Sequence, residues 1–490
     1  MRALTKRLSG QSATLLWFMG AILFGRVTGL AREVVLGNLF GATRVADVII
    51  IALAVPDSLA NAMLVSGFSA VLVPYLLSHP SDLRGREFWR ISALLVAISV
   101  LLTVCLVSLT DHVMMLFAPG LIPFGTSELF AFRWVLASVP FTILSGLMIA
   151  WLVSKKSFVF GGVGTAIINS AVIVGLLIGY FSGDAIRWAI TGLILGLLTR
   201  LLMYIFASRR FQLDMRFHGV STDLKLVSKI ILVATAMSAL TIAPLLFRAI
   251  VSIEGEGVLT LFSMSLKLIE LPLTVVFWSI GFIALPELSA LYSKSAQRAT
   301  DRLEDNLIRA GRIGIAAFLC IGGLSNHWVE LVFGWGAFNE SQLKLMSDAV
   351  SIGAVGFPVM GLTTLLLNDH FALKRYRAVF LIVITSLSVV GTVAWSIIMD
   401  YSVQTMFVFW IGLYGMIAMG LWASRSTAGL PKIRVRPIGL FWVLGYFAAI
   451  YLVVCEVTDV ILGAWGADFL YVTIAVTVAY IAMVKPVSRT

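Results

Sequence analysis

The chain has 490 residues, of which 60% are hydrophobic and only 12% are charged. Soluble domains are about half apolar and one quarter charged, and a soluble fold needs a polar coat that this composition does not supply. The composition therefore excludes secreted, disordered, coiled-coil and disulfide-rich classes and predicts an all-α polytopic membrane protein.

Fourteen apolar runs follow one another along the chain, and a membrane-spanning helix needs about 20 such residues. The predicted transmembrane helices lie approximately over residues 12–39, 48–77, 91–109, 131–153, 160–181, 188–206, 229–251, 258–291, 310–332, 346–368, 377–398, 405–424, 438–458 and 466–484. The connection after the sixth run is long and polar. We therefore predict an N-terminal six-helix bundle over 1–206, a cytoplasmic interfacial linker over 207–228, a second six-helix bundle over 229–424, and two further helices within 425–490.

The basic residues alternate between the two sides of this topology. Of the 36 lysines and arginines, 27 fall in segments on the side of the N-terminus and only 3 fall in the opposite loops, which are acidic. This bias is the positive-inside rule, and it predicts that both termini are cytoplasmic. One missed helix would invert every later loop, so the alternation supports fourteen crossings. The net charge of +11 is accordingly a topology signal, and we predict no nucleic-acid partner.

Cysteine and histidine patterns indicate neither disulfide nor metal chemistry. The three cysteines, Cys105, Cys320 and Cys455, lie in separate apolar runs, and the five histidines show no metal-ligand spacing. No nucleotide-binding or nucleophile motif is present in the sequence. We therefore predict no metal, no cofactor and no enzymatic activity, and any transport would draw on an ion gradient, the membrane potential or substrate flux.

The six basic residues that remain after this count lie inside predicted runs. A cation at the bilayer centre costs about 2.5–3.5 kcal/mol on insertion scales, so it normally faces a wet cavity or a partner. Basic side chains near the end of a run can instead extend to the interface. The members are Arg133, Arg200 and Arg248 near the ends of runs and Arg26, Arg32 and Lys267 at depth.

The first helix carries two of the deep cations. Arg26 and Arg32 are six residues apart, which places them roughly 120° apart around the axis and roughly 9 Å along it, on adjoining walls of one cavity. Glu33 is seven residues from Arg26, on nearly the same face, and is a candidate to neutralise it. Gly25 and Gly29 form a GxxxG spacing that is typical of close helix packing.

Acidic residues accompany the cations in two other helices. The second helix begins near Asp47 and contains Asp57 directly after a proline, and Asp57 is the deep acid without an evident basic partner. In the eighth helix, Lys267 and Glu270 share one face and Pro272 follows. This pair is either a self-compensating ion pair at a kink or a charged site at a bend between two bundles. Together the deep cations suit a phosphate or pyrophosphate better than a cation.

Two segments of the chain resemble MurJ-type (MviN) lipid II flippases, a family of the multidrug/oligosaccharidyl-lipid/polysaccharide flippase superfamily. The first is RVTGLAREVVLGNLFGATRVADVIIIALAVPDSLANAM with the following GFSAVLVPYL, and the second is KLIELP with IGFIALPELS. The resemblance implies two six-helix bundles around a central cationic cavity, with the last two helices forming a groove for a lipid tail. It also implies a monomeric multi-pass protein of the bacterial cytoplasmic (inner) membrane.

The resemblance further implies a function. The family flips an undecaprenyl-pyrophosphate-linked saccharide (lipid II, the peptidoglycan precursor) from the inner to the outer leaflet by alternating access, in the lipid bilayer and with a coupling ion or the membrane potential as energy source. The implied residues are Arg26, Arg32 and Lys267 for substrate binding and Glu33, Asp47, Asp57 and Glu270 for gating and ion pairs.

The chain also departs from the family pattern. Basic residues that the family carries in the second helix are replaced by Leu59-Ala60-Asn61, an acidic residue is replaced within Leu64-Val65-Ser66, and an arginine is replaced by Lys267. The alternative is therefore a flippase for another lipid-linked oligosaccharide, such as an exopolysaccharide or O-antigen repeat unit. A cation-coupled drug exporter and a membrane glycan polymerase or ligase are further alternatives, of which the first would need unpaired acids in the cavity and the second a large outside loop.

Overall fold

The computed structural model describes residues 2–62, 68–155, 157, 159–211, 213, 224–397 and 402–433. The regular secondary structure of these residues is helical and includes no strand. The α-helices are α1 (Arg2–Phe40), α2 (Arg44–Ala62), α3 (Phe68–Leu77), α4 (Arg84–Ser108), α5 (Thr110–Phe117), α6 (Thr126–Ala137), α7 (Val139–Ser154), α8 (Val159–Ser182), α9 (Ala185–Arg210), α10 (Leu224–Val251), α11 (Val258–Pro272), α12 (Trp278–Tyr292), α13 (Ala296–Ile321), α14 (Ser325–Phe333), α15 (Glu340–Ala354), α16 (Phe357–Ala372), α17 (Tyr376–Ile397) and α18 (Val403–Thr427).

The first twelve predicted runs fall on these helices, and the runs over 438–458 and 466–484 lie outside the described residues. Several runs comprise more than one helix. The run over 258–291 contains α11, a π-helical turn at Leu273–Phe277 and α12, with Pro272 at the end of α11. A proline lacks the backbone N–H that would continue the α-helical ladder, which explains the break at this point.

Six helical segments in the described part of the chain are long and apolar enough to cross a membrane. Two further pairs, α13 with α14 and α15 with α16, pass the same test together but bend by 61° and 48° at short breaks, so the total reaches eight if each pair is one span. The prediction of an all-α polytopic membrane protein is confirmed by these segments.

The chain divides into two compact units, one up to Thr260 and one from Leu261. In the first unit, α10 packs on α2 and α3. This unit therefore extends past the predicted linker over 207–228 and includes the helix that follows it. In the second unit, α16 packs against α12, α13 and α18.

The helical hairpin of α8 and α9 is the most closely packed part of the first unit. A Cβ atom built on Gly175, Gly179, Gly192 or Gly196 would lie 2.3 to 2.9 Å from backbone atoms of the facing helix. Such contacts are shorter than any real Cβ contact, so only glycine fits at these positions. The two helices thus touch backbone to backbone over most of their length.

Candidate functional site

The Arg32 guanidinium is the centre of a buried polar cluster in the first unit. Its Nη2 donates to Glu33 Oε1 at 2.6 Å and to Asp57 Oδ2 at 2.9 Å, and its Nη1 donates to Asn169 Oδ1 at 3.1 Å. The Arg32 and Glu33 side chains are only 4% and 6% exposed. Two carboxylates and an amide therefore hold one cation in the interior, as a buried charge requires.

Asp57 forms the open side of this cluster. Its side chain is 37% exposed, whereas the Arg32 side chain behind it is 4% exposed. The expectation that Asp57 lacks a basic partner is wrong, because α2 brings it onto Arg32 across 25 residues of sequence. An incoming anion would reach Arg32 by displacing this carboxylate.

Glu33 pairs with its neighbour Arg32 and not, as its helical spacing suggested, with Arg26. The two residues are adjacent in sequence, and Arg32 Nη2 lies 2.6 Å from Glu33 Oε1. Arg26 is partly exposed and has an interaction of its own. Arg26 and Arg32 thus lie in different local environments.

Close packing of α1 on α8 brings Asn169 to the cluster. A Cβ atom on Gly25 would lie 2.9 Å from the carbonyl oxygen of Gly162, so the predicted GxxxG packing is present. Asn169 Nδ2 donates to the carbonyl oxygen of Gly25 at 3.3 Å, while its Oδ1 accepts from Arg32. Asn169 was not predicted from the sequence. Its one signal is a carboxamide within an apolar, glycine-rich run.

The three arginines predicted near helix ends differ in environment. Arg133 is exposed, as expected for a side chain that extends outward. Arg200 and Arg248 are only 2% and 6% exposed, so both side chains are buried within the protein. Arg248 lies in the last turn of α10, near a helix end as predicted. Helix α9 continues to Arg210, which places Arg200 well inside the helix.

Asp47 binds the beginning of α11. Its Oδ2 accepts from the Gly257 N–H at 2.7 Å, and its Oδ1 accepts from the Thr260 N–H at 2.8 Å and from the Thr260 hydroxyl at 2.6 Å. Asp47 and Thr260 are both fully buried. The first N–H groups of a helix have no partner within the helix. Asp47 supplies that partner from another helix, so its contacts are those of a cap between elements.

A second set of contacts closes the same end of α2. Arg44 donates from Nε and Nη2 to the two carboxylate oxygens of Glu128 at 2.8 and 2.9 Å, and its Nη2 also donates to the carbonyl oxygens of Leu121 and Pro123. The Arg44 backbone N–H donates to Glu256 Oε1 at 2.9 Å. This bidentate geometry fixes the turn between α1 and α2 to two other loops of the unit.

In the second unit, Lys267 Nζ donates to Glu270 Oε2 at 2.9 Å, and both side chains are 26% exposed. The pair lies in the last part of α11, just before Pro272 and the π-helical turn. The predicted pairing is therefore present, at a break in the helix. Both the kink-stabilising and the substrate-binding interpretations fit this position.

The most buried ionic network of the second unit was not predicted. Asp369 accepts from the Tyr292 hydroxyl and from Arg425 Nη1, and Arg425 also donates to the Tyr292 oxygen at 2.7 Å and to Thr300. Asp369 is fully buried, and Arg425, which the sequence placed in a cytoplasmic connection, is 3% exposed. These side chains tie α12, α13, α16 and α18 together.

The buried clusters consist of ion pairs and hydrogen-bonded networks. Within the described residues, no group of three or more His, Cys, Asp or Glu side chains is placed to hold a metal ion. The chemistry on offer is an arginine that can exchange one anionic partner for another at the exposed Asp57 side. Such an exchange would release α2 from α1 at this contact.

The helical architecture has counterparts among solved structures of membrane transporters. It resembles a solved structure of "Lipid II flippase MurJ, inward closed conformation" with a TM-score of 0.76 and 16% sequence identity, over 95% of this chain and 98% of the other. It also resembles a multidrug resistance MATE family transporter of the MOP superfamily, with a TM-score of 0.62 and 11% identity, over 84% and 94% of the two chains. These two likenesses show that the fold is shared.

The chain belongs to the MurJ lipid II flippase family, whose model matches residues 36–478. Similar proteins include the probable lipid II flippases MurJ of Rickettsia prowazekii (24% identical, 71% of this chain and 70% of the other) and Thermotoga maritima (24% identical, 76% of each). The resemblance found in the sequence is confirmed. The family also confirms a multi-pass protein of the bacterial cytoplasmic membrane.

Proposed function

We propose that this chain moves an undecaprenyl-pyrophosphate-linked saccharide, lipid II, from the inner to the outer leaflet of the cytoplasmic membrane by alternating access. Its family and the lipid II flippases among its relatives support this substrate. The observation that carries the proposal is the Arg32 cluster, a buried guanidinium covered on its open side by the exposed carboxylate of Asp57.

The cluster provides a physical mechanism for substrate binding. A pyrophosphate carries the same kind of oxygen acceptors as a carboxylate and more charge, so it can replace Asp57 on the Arg32 fork while Glu33 stays in place. Release of Asp57 frees α2 from α1 at this contact. Substrate binding is thereby coupled to a change in helix packing, because the two states differ in their affinity for the anionic head.

The other site residues take roles consistent with their contacts. Arg26, Arg32 and Lys267 are each proposed to act in substrate binding. Glu33, Asp47, Asp57 and Glu270 are proposed to act in ion pairs and gates. None of these residues is proposed to react covalently. The energy for transport is proposed to come from an ion gradient or the membrane potential.

The proposed topology has fourteen crossings with both termini in the cytoplasm. The proposed bundles span 1–206 and 229–424 and are joined by the linker over 207–228. Helix α10, which follows this linker, packs on α2 and α3 of the first unit. The remaining segment, 425–490, is proposed to form the groove for the polyprenyl tail. Such a protein needs no second copy to complete its site, so we propose a monomer.

Growth complementation tests the function. The chain is expressed in a bacterium depleted of its own lipid II flippase, with membrane levels confirmed by immunoblot. Rescue by the wild type, loss of rescue in Arg26→Ala and Arg32→Ala, and retained rescue in Arg133→Ala are expected. Arg133 is the matched control, since it is an exposed arginine of the same unit. Equal rescue by all three variants would refute the cationic site, and Lys267→Arg should preserve or increase rescue.

A second substrate class is supported by one observation. The chain carries Leu59-Ala60-Asn61 where the family has basic residues, and Lys267 where it has an arginine. Fewer guanidinium forks weaken bidentate recognition of a pyrophosphate. Failure to rescue growth despite normal membrane levels would favour another lipid-linked oligosaccharide, and secretion of that polymer in a deletion strain would then be measured.

A further inference from the structure

Arg200 is a buried cation without a partner. Its side chain is 2% exposed, its Nε makes no hydrogen bond, and no hydrogen bond or ion pair links it to any other residue in the described part of the chain. Burying a guanidinium without an anion is strongly unfavourable. Arg32 and Arg425 are buried to a similar extent. Each of them forms an ion pair with a carboxylate.

The space around Arg200 is built to hold it. A Cβ atom on Gly164 of the facing helix would lie 3.0 Å from Arg200 Cδ and 2.0 Å from the Tyr204 hydroxyl oxygen, so only glycine leaves room for both side chains. The Tyr204 hydroxyl donates to the carbonyl oxygen of Phe160 at 3.1 Å. The tyrosine is thus held on the backbone, and the guanidinium fork beside it is left available for an anion.

The anion within electrostatic reach of Arg200 is Asp57. Helix α9, which carries Arg200, packs against α2, which carries Asp57. Asp57 directly follows Pro56, whose ring removes one hydrogen bond of the helical ladder and so makes this turn easier to deform. In the observed state the Asp57 carboxylate is on Arg32 at 2.9 Å. It therefore lies near two arginines and is bonded to one of them.

We propose that Arg200 is the alternative partner of Asp57, which it receives when the pyrophosphate of the substrate occupies Arg32. This inference rests on the proposed function. In the empty state Arg32 holds two carboxylates and Arg200 holds none. In the occupied state Arg32 holds Glu33 and the phosphate oxygens, and Arg200 holds Asp57. The displaced carboxylate is then never left unpaired in the membrane, which lowers the free-energy cost of binding. Arg200 is a positioning residue, because it acts through Asp57.

Binding of undecaprenyl pyrophosphate to the full chain in lipid nanodiscs tests this exchange. Four proteins are compared, namely the wild type, Arg200→Gln, Asp57→Asn and the double variant, with undecaprenol as the uncharged control ligand. In the wild-type background, Arg200→Gln is expected to weaken binding about tenfold, because the displaced Asp57 carboxylate then loses its ion pair with Arg200. Asp57→Asn removes the competitor for Arg32 and is expected to tighten binding.

The double variant separates the roles. In the Asp57→Asn background, Arg200→Gln is expected to change the affinity by less than about twofold, because no carboxylate needs a second partner. Arg200→Lys, which keeps a cation, is expected to retain most of the affinity and covers the case that the glutamine variant does not fold. The same tenfold loss in both backgrounds, or no loss in either, would overturn the exchange. A wild type that binds undecaprenol as well as the pyrophosphate would instead refute the proposed function.

Discussion

The contact between Asp47 and the beginning of α11 allows a quantitative prediction. Asp47→Asn keeps the shape of the side chain but replaces one carboxylate oxygen by an NH₂ group. If Oδ1 still accepts from Thr260, the NH₂ group faces the Gly257 N–H, so two donors meet and the 2.7 Å bond is lost. The bond to a charged acceptor is worth about 1.5–3 kcal/mol, and the two bonds to Thr260 weaken by roughly half when the charge disappears.

The sum is a loss of about 3–6 kcal/mol in the free energy of unfolding. It is measured by denaturant titration of the detergent-solubilised full chain, followed by tryptophan fluorescence. Thr260→Val is the matched control, because it removes only the hydroxyl bond of 2.6 Å and keeps the backbone contacts. Its expected loss is about 1.5–3 kcal/mol. A change below about 0.5 kcal/mol for Asp47→Asn, or a larger effect of Thr260→Val, would refute the capping role.

Two further predictions concern the buried clusters. Asn169→Leu removes the acceptor for Arg32 Nη1 and the donor to the Gly25 carbonyl oxygen, and is expected to lower the free energy of unfolding by about 2–4 kcal/mol in the same titration; an unchanged midpoint would contradict the contact. Arg425→Gln leaves the buried Asp369 without its cation and is expected to lower it by about 3–5 kcal/mol. Adding Asp369→Asn to that variant should recover part of the loss, and a purely additive double variant would contradict the pairing.

Local sequence spacing was sufficient for the pair of Lys267 and Glu270. Residues three apart in a helix lie on one face, so the contact follows from the sequence once the helix is assigned. The contacts of Arg32 with Asp57 and Asn169 span 25 and 137 residues and depend on how α2 and α8 pack on α1. Periodicity identifies the helices but not which faces meet, which is why Asp57 was expected to lack a partner.

Helix boundaries explain the error at Arg200. The apolar run was predicted to end near residue 206, which left Arg200 close enough to an end for its side chain to reach the interface. The helix continues through Ser208 to Arg210, so Arg200 lies ten residues from its end, or about 15 Å along the axis. That distance exceeds the length of an arginine side chain. Polar residues that prolong a helix beyond its apolar run are the least predictable part of a membrane sequence.

The network of Asp369 and Arg425 shows a different limit. Charge counting treated Arg425 as a topology signal in a cytoplasmic connection, and the short polar sequence Asn368-Asp369-His370 as the end of an apolar run. In the structure, α18 extends to Thr427 and buries the arginine against α16. The sequence held one usable signal, a carboxylate at the end of one apolar run and a lone arginine at the end of another.

The glycine contacts between α8 and α9 have a mechanical consequence. Where two helices meet through side chains, small sliding movements are taken up by rotamer changes, but two backbones in direct contact have no such layer between them. The hairpin of α8 and α9 is therefore expected to move as one rigid body. Asn169 on α8 and Arg200 on α9 then keep a fixed spacing. Bending within this unit must then occur in other helices. The turn of α2 that contains Pro56, beside Asp57, is easier to deform because the proline removes one hydrogen bond of the helix. Asp57, on the deformable turn of α2, would then move between Arg32 on α1 and Arg200 on the rigid hairpin.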